Sequence, residues 1–408
     1  IHYVDTLVKA CHYYDRIIST CFNNHIEFRK AFDEAAVVFV NQNNVTKSGN
    51  DQFNFNKTPE LLGRYSHAVL VTHSLIPQEQ TSEAINKLFL VLKYTESKDS
   101  FEKYYNWNLL SRLINKTSSS DDNEGNVIAQ MKTNFGQDYS MKSHQLTQDA
   151  RISDELSRNF KSSMQEDDHP LPFDFHIAVF KNGSCKLPEC PPINIPQEIA
   201  PAMNSFIEYY GKQYEGRTLA WYHNKSFGEI IYNAGPLMNK KYTFTVSVYQ
   251  MTILLLFNER TAWTVEEIKE STLIETNILT QVLPILERTK LLTKNSTGAY
   301  ELFQNYKSSK HKHDINVPIK SELKTGSEEA VNDEVQNQRN FVLQAVMVRL
   351  MKANQTMRHS DLIAETIAAV SNRFKPNVTR IKRTIDCLIE KEYLKRDEEE
   401  ADRYVYIS

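Results

Sequence analysis

Glycine and proline are scarce in this 408-residue chain, with 11 and 13 residues. So few breakers exclude a collagen-like or low-complexity fibre and favour helices joined by short connections. There are five cysteines, Cys11, Cys21, Cys185, Cys190 and Cys387, an odd number without a Cys-x-x-Cys pair. That argues against a disulfide framework and against a cysteine-rich zinc site. No apolar run approaches the roughly 18 residues that a membrane-spanning helix needs; the one around Ile253–Phe257 is far too short. Excess charge of one sign is missing too. Lys and Arg number 48 against 51 Asp and Glu, a formal net charge of −3 that disfavours a whole-chain polyanion binder. The start, Ile1-His-Tyr-Val-Asp5, has neither a basic-then-apolar leader nor a methionine. The chain reads as a soluble, intracellular segment of something longer, with no membrane partner.

Catalytic signatures are absent as well. Gly-x-Gly-x-x-Gly, Walker, His-Glu-x-x-His and Gly-x-Ser-x-Gly patterns do not occur. His311-Lys-His313 lacks the further ligands that zinc requires and reads as a pair of solvated linker histidines. The expectation is a non-enzyme without cofactor or metal.

What is present is periodicity. Residues 1–165 read as a helical bundle: Val4, Leu7, Val8 and Cys11 form one helix face, and Ile85, Leu88, Phe89 and Leu92 repeat it. Polar Asn41–Lys57 and Thr117–Asn126 interrupt the pattern as loops. Over residues 166–248 the period becomes two. Phe173, Phe175, Ile177 and Val179 alternate with polar or small residues; Leu219-Ala-Trp221, Glu229–Tyr232 and Tyr242–Val246 follow. These runs predict the strands of a small α/β domain.

Residues 249–305 and 339–408 repeat one another. Glu275–Lys294 overlays Val378–Asp397 without a gap at an offset of 103, pairing Ile278 with Ile381, Val282 with Ile385 and Leu291 with Leu394. Each copy reads as helices closed by a two-stranded wing, the first opened by a capping box at Thr264-Val-Glu-Glu267. Polar residues 306–338 read as the linker between two winged helices. The fold class is therefore α+β, mainly α.

Two features of the second copy bear on function. Arg373, Lys375, Arg380, Lys382 and Arg383 stand without an acid among them in Ser371–Arg383, at the entry to a recognition-type helix. This is the basis of the alternative reading, a winged-helix nucleic-acid binder. The first copy has no such cluster, which favours a solvated or protein-binding face. The other feature is Asn340–Met357, a helix whose core stripe reads Val342, Leu343, Val346, Leu350 and Ala353, with Lys352 on its outward flank. Spacing alone ends at a multi-domain interaction scaffold.

Several segments resemble the cullin family, the scaffolds of RING-type ubiquitin ligases. They include Lys57–Tyr65, Lys98–Phe101, Gly216–Trp221, Tyr249–Leu255 and Asn316–Lys320. Val348-Arg-Leu-Met-Lys352, Arg373-Phe-Lys-Pro376, Ile381–Leu394 and Tyr404–Ser408 complete the set, in family order along the whole chain. The resemblance is to the cullin C-terminal half. It implies a RING-finger subunit whose strand joins the α/β sheet beside Phe173, Phe175, Ile177, Val179 and Trp221. It implies a ubiquitin-like modifier, attached by its conjugating enzyme through an isopeptide bond to Lys352. It also implies a ubiquitin-conjugating enzyme carried by the RING subunit, an exchange factor, a deconjugating signalosome, and a cytoplasmic and nuclear location. The chain departs from the family where Ala353-Asn354-Gln355 replaces the usual basic pair, and where Tyr105–Arg112 is poor in lysine. It looks like a divergent paralogue.

Overall fold

The N-terminal apolar stripes become buried helix faces. In the computed structural model, which describes residues 1–46, 56–166, 171–183, 190–234, 240–304, 306–317, 328–397, 400 and 402–407, these helices are α1 (His2–Cys21), α2 (Ile26–Asn41), α3 (Thr58–Leu70), α4 (Thr81–Lys93), α5 (Lys98–Asn115) and α6 (Asp121–Phe135). Val4, Leu7, Val8 and Cys11 of α1 and Ile85, Leu88, Phe89 and Leu92 of α4 are all buried. α3 and α5 touch at Gly63, where an added Cβ would fall 2.6 Å from Tyr104 Cβ. Only glycine permits that approach.

One compact unit comprises Ile1–Gln148 and Gly326–Ser408, the other Asp149–Thr325. The chain passes from the first into the second along α7 (Gln137–Glu166).

The first unit holds a buried ion pair at its bundle centre. Arg112, 0% exposed, donates from Nε and Nη2 to Glu124 at 2.6 and 3.0 Å. Tyr105 and Ser118 donate to the same carboxylate, so the buried charges are paired and their lone pairs occupied. The expected loop at Thr117–Asn126 is shorter than its polarity suggested. Ser120 caps α6 by accepting from the Asp122 N–H, and Asp121, Asp122 and Glu124 lie in the first helical turn, where acids suit the dipole.

This unit also contains the second winged helix: α12 (Glu328–Asn354), β7 (Thr356–Arg358), α13 (His359–Val370), α14 (Val378–Glu390), β8 (Leu394–Arg396) and β9 (Arg403–Tyr406). Its sheet has three strands in the order β7-β9-β8, one more than the expected two-stranded wing.

The second unit contains α8 (Ala200–Gln213), β1 (Phe227–Ala234), β2 (Lys240–Ser247) and the first winged helix. That winged helix comprises α9 (Val248–Leu255), β3 (Ala262–Trp263), α10 (Val265–Thr272), α11 (Thr276–Arg288), β4 (Leu292–Lys294) and β5 (Tyr300–Leu302), with sheet order β3-β5-β4. The capping box is present: Thr264 Oγ1 accepts from the Glu267 N–H while Glu267 accepts from the Thr264 N–H.

The element boundaries of the two copies align one residue away from the overlay read in sequence. α11 starts at Thr276 and α14 at Val378, so the offset is 102. Leu279 then meets Ile381, Leu283 meets Ile385, Leu286 meets Leu388 and Leu292 meets Leu394, all buried. The left-handed residues Lys290 and Glu392 coincide as well. α11 buries adjacent apolar pairs, Ile278–Leu279 and Val282–Leu283, so a one-residue slip still puts apolar on apolar.

Two further expectations are corrected. The linker read over residues 306–338 is structured at both ends. β6 (Lys312–Asp314) pairs in parallel with β2, and His311 and His313 stack on Tyr242 and Phe244 at centroid distances of 6.0 and 5.2 Å. Residues 328–338 are the first turns of α12, with Val331 and Val335 packed on Tyr104 of the bundle. Residues 318–327 lie outside the described residues. Phe173–Val179 and Leu219–Trp221 belong to no helix and to no β-ladder among the described residues.

Candidate modification and docking sites

Lys352 stands in the last turn of α12. Leu343, Met347 and Met351 recur every fourth residue and are 0% exposed; Val342, Val346 and Leu350 flank them and Ala353 is exposed. The buried stripe is thus centred on methionines, whose unbranched chains fill the space under the wing. Lys352 follows the innermost of them by one position, about 100° around the helix, and is exposed. The helix stops at Gln355, whose backbone is left-handed at φ +62° and whose N–H reaches Met351 O at 2.7 Å. The base of Lys352 is therefore held by a packed core while its amine faces solvent.

The segment at Phe173–Val179 is bound to a helix rather than to a sheet. Asp149, Ser153 and Ser157 occupy one face of α7 at four-residue spacing, about 6 Å per step. Extended chain advances about 6.6 Å per two residues, so the rungs match. Ser157 Oγ accepts from the Ile177 N–H and donates to the Ile177 carbonyl, at 3.1 and 2.8 Å. Ser153 Oγ does the same for Val179 at 2.7 and 2.9 Å, and Asp149 accepts from the Lys181 N–H. Residues 176 and 178, which point the other way, are exposed and their N–H groups have no partner among the described residues. Ile177, Phe175 and Val179 join Phe160, Phe206, Leu219 and Trp221 in one aromatic cluster. Phe173 lies at its margin, 6.0 Å from the Phe175 ring. The structure thus gathers the predicted docking residues around one core without giving them a strand partner.

The basic segment is largely occupied. The Arg373 carbonyl accepts from the N–H groups of Lys98 and Asp99 at the start of α5. Lys375 donates its N–H to Glu96 O and its amine to the Glu96 carboxylate at 3.2 Å. Phe374, buried, lies under the Arg339 guanidinium, which itself grips both oxygens of Asp99 at 2.6 and 2.7 Å. Arg380 donates to the Gln336 side chain, and burial, then Arg339 and Arg383, disfavour its charge. Lys375, although paired with Glu96, is exposed, as are Lys382 and Arg383. The Arg373 and Lys375 backbone and the Arg380 side chain thus bond within the unit, while three of the five cations stay exposed.

Three family models match in order along the chain. The cullin alpha solenoid domain covers residues 1–157, the cullin alpha+beta domain 181–317 and the cullin protein neddylation domain 338–400. The chain belongs to the cullin family. Cullin-1 of Caenorhabditis elegans is 32% identical over 417 residues, all of this chain and 53% of that protein. Cullin-1 of Dictyostelium discoideum is 33% identical over 418 residues, again all of this chain and 54% of the relative. Cullin-6 of C. elegans is 30% identical, with 56% of it covered. The chain spans about half the length of the curated relatives it matches.

In this cullin, Lys352 and the whole basic segment fall inside the neddylation-domain match. Sequence reading missed the partners that make the sites: Glu96 before α5 and Asp99 within it, Arg339 on α12, and the serines of α7. For the serines a signal existed, the Asp149-Ser153-Ser157 spacing opposite an alternating run. Asp99 and Arg339 lie too far apart in sequence for any local pattern to pair them.

Proposed function

We propose that this cullin chain is the non-catalytic scaffold of a RING-type ubiquitin ligase, regulated by isopeptide attachment of a ubiquitin-like modifier to Lys352. The observation that carries the reading is Lys352 itself, exposed in the last turn of a core-anchored helix inside the matched neddylation domain. The chemistry asked of it is modest. A deprotonated Lys352 amine attacks the modifier's thioester carbonyl, forming the C–N bond and breaking the C–S bond as thiolate leaves the conjugating enzyme. An ammonium cannot attack, so proton removal and orientation come from the enzymes.

The RING subunit supplies a strand to the outward edge at residues 176 and 178, with Trp221 and Phe175 packing beneath it. The ubiquitin-conjugating enzyme rides on that subunit; the modifier's conjugating enzyme, an exchange factor and a deconjugating signalosome are the regulators that go with the reading. Modification then shifts the second winged helix against its ionic anchor on α5, shortening the path from enzyme to substrate.

Two arms test this. Co-expression with a RING subunit should give a stoichiometric complex. In that complex Lys352→Arg should lose the modifier conjugate but keep RING binding, because guanidinium stays protonated. An exposed site should tolerate the exchange within about 0.5 kcal/mol. Wild-type conjugation of the arginine variant, or no RING complex, contradicts the proposal.

A further inference from the structure

We propose that Gln355 is a positioning residue for the Lys352 amine: it locks the last turn of α12 so that the lysine stem rises from a fixed base. The inference rests on Lys352 being the modifier acceptor. It starts from a conformational oddity. Gln355 is left-handed at φ +62°, at the helix-terminating position where glycine or asparagine is the usual occupant. A glutamine there costs backbone energy that glycine would not.

Its side chain supplies a reason. Gln355 Nε2 donates to the backbone carbonyl of Lys352 at 2.7 Å. That carbonyl is one of the four at the helix end with no intrahelical donor. The Gln355 N–H meanwhile holds Met351 O at 2.7 Å, and the Gln355 carbonyl accepts from the Tyr406 N–H of β9 at 2.8 Å. One residue thus ties together the buried methionine before Lys352, the lysine's own peptide plane and the central strand of the wing. The strand pairing Thr356↔Val405 begins at the next residue. Lys352 is consequently held through its peptide plane as well as through the helix, leaving only its side-chain torsions free.

The residues that follow it, Ala353, Asn354, Gln355 and Thr356, are exposed and uncharged, and Arg349, also exposed, stands one helical turn before it. The one charged neighbour on its own helix face is a cation like itself and offers no partner, so the fixed base is what limits where the amine points. The rate of attack on a protein-bound thioester depends on such placement.

The test uses the intact chain with its RING subunit and a modifier-charged conjugating enzyme. Gln355→Asn keeps a residue that favours the left-handed turn but shortens the amide beyond reach of the Lys352 carbonyl. Gln355→Arg keeps a donor of similar reach and adds no acceptor amine. The asparagine variant should transfer with kcat lowered about tenfold at unchanged KM, with faster amide exchange confined to residues 353–355. The arginine variant should recover most of the rate. A residue that only terminates the helix would give the asparagine variant wild-type kcat, and that result overturns the inference while Lys352 stays the mapped site. A fall entirely in KM overturns it as well. If the wild-type chain carries the modifier on another lysine, the reading of Lys352 fails and this inference falls with it.

Discussion

Glu102 is the residue whose chemistry fits its surroundings least. It is buried on α5, facing Lys142 of α7, Arg373 of the second winged helix, and Lys103 and Asp99 on its own helix. Burial pushes its carboxyl above the ordinary 4.5, against the pull of Lys142, Arg373 and Lys103. The folded value is raised, so the group's contribution is full below 4.5 and is lost as pH rises through the folded value. Ionised Glu102 therefore burdens the fold at neutral pH. Glu102→Gln should raise the thermal midpoint at pH 7, with the gain vanishing in acid; calorimetry across pH measures it. A lowered midpoint at pH 7 would mean that Arg373 and Lys142 outweigh burial. Glu124 is the opposite case, a buried carboxylate fully used. Glu124→Gln leaves Arg112 with an uncompensated charge and should cost about 3–5 kcal/mol in urea unfolding. At this scale the sequence was half legible. Lys352 and the basic cluster stood out by position and composition, whereas the acids that occupy Arg339 and Lys375 lie on α5 and just before it, hundreds of residues earlier.

At the scale of elements, alternation reports extended backbone and says nothing about its partner. Phe173–Val179 alternates because one face packs on aromatic rings, yet its rungs are serine hydroxyls on α7. One sheet of that unit, β1-β2-β6, includes a strand hidden in a stretch whose polarity read as linker. The distinction decides where to interfere with docking. Ile177 N–H is already bound to Ser157, whereas position 178 faces outward. Ala178→Pro should remove one outward donor and weaken RING co-purification while the Ser157 and Ser153 clamps persist. Unchanged RING yield would exclude this edge. The second winged helix offers a separate test, since Arg339 and Asp99 retain 13% and 19% side-chain exposure. Arg339→Ala should cost about 2 kcal/mol, the low end for a partly buried bidentate pair. It should also speed hydrogen exchange at the Lys98 and Asp99 amides bound to Arg373. Equal exchange in both proteins would show that the backbone bonds hold the docking unaided.

For the molecule as a whole, the helical stripes and the two-copy repeat were legible because each is written within about 20 neighbouring residues. The grouping of residues 326–408 with the bundle was not, since it depends on contacts between α5 and α12 that no local period encodes. That grouping gives the proposal its physical form: Lys352 stands on a domain anchored to the bundle by a partly ionic contact. The most direct measurement is peptide mapping of the reconstituted reaction. The intact chain, bound to its RING subunit, is incubated with the modifier and its charging and conjugating enzymes, digested and sequenced by mass spectrometry. The account predicts one dominant isopeptide, on Lys352. Dominant modification of another lysine, such as exposed Lys382 or the Glu96-paired Lys375, or no conjugate at all, would contradict it.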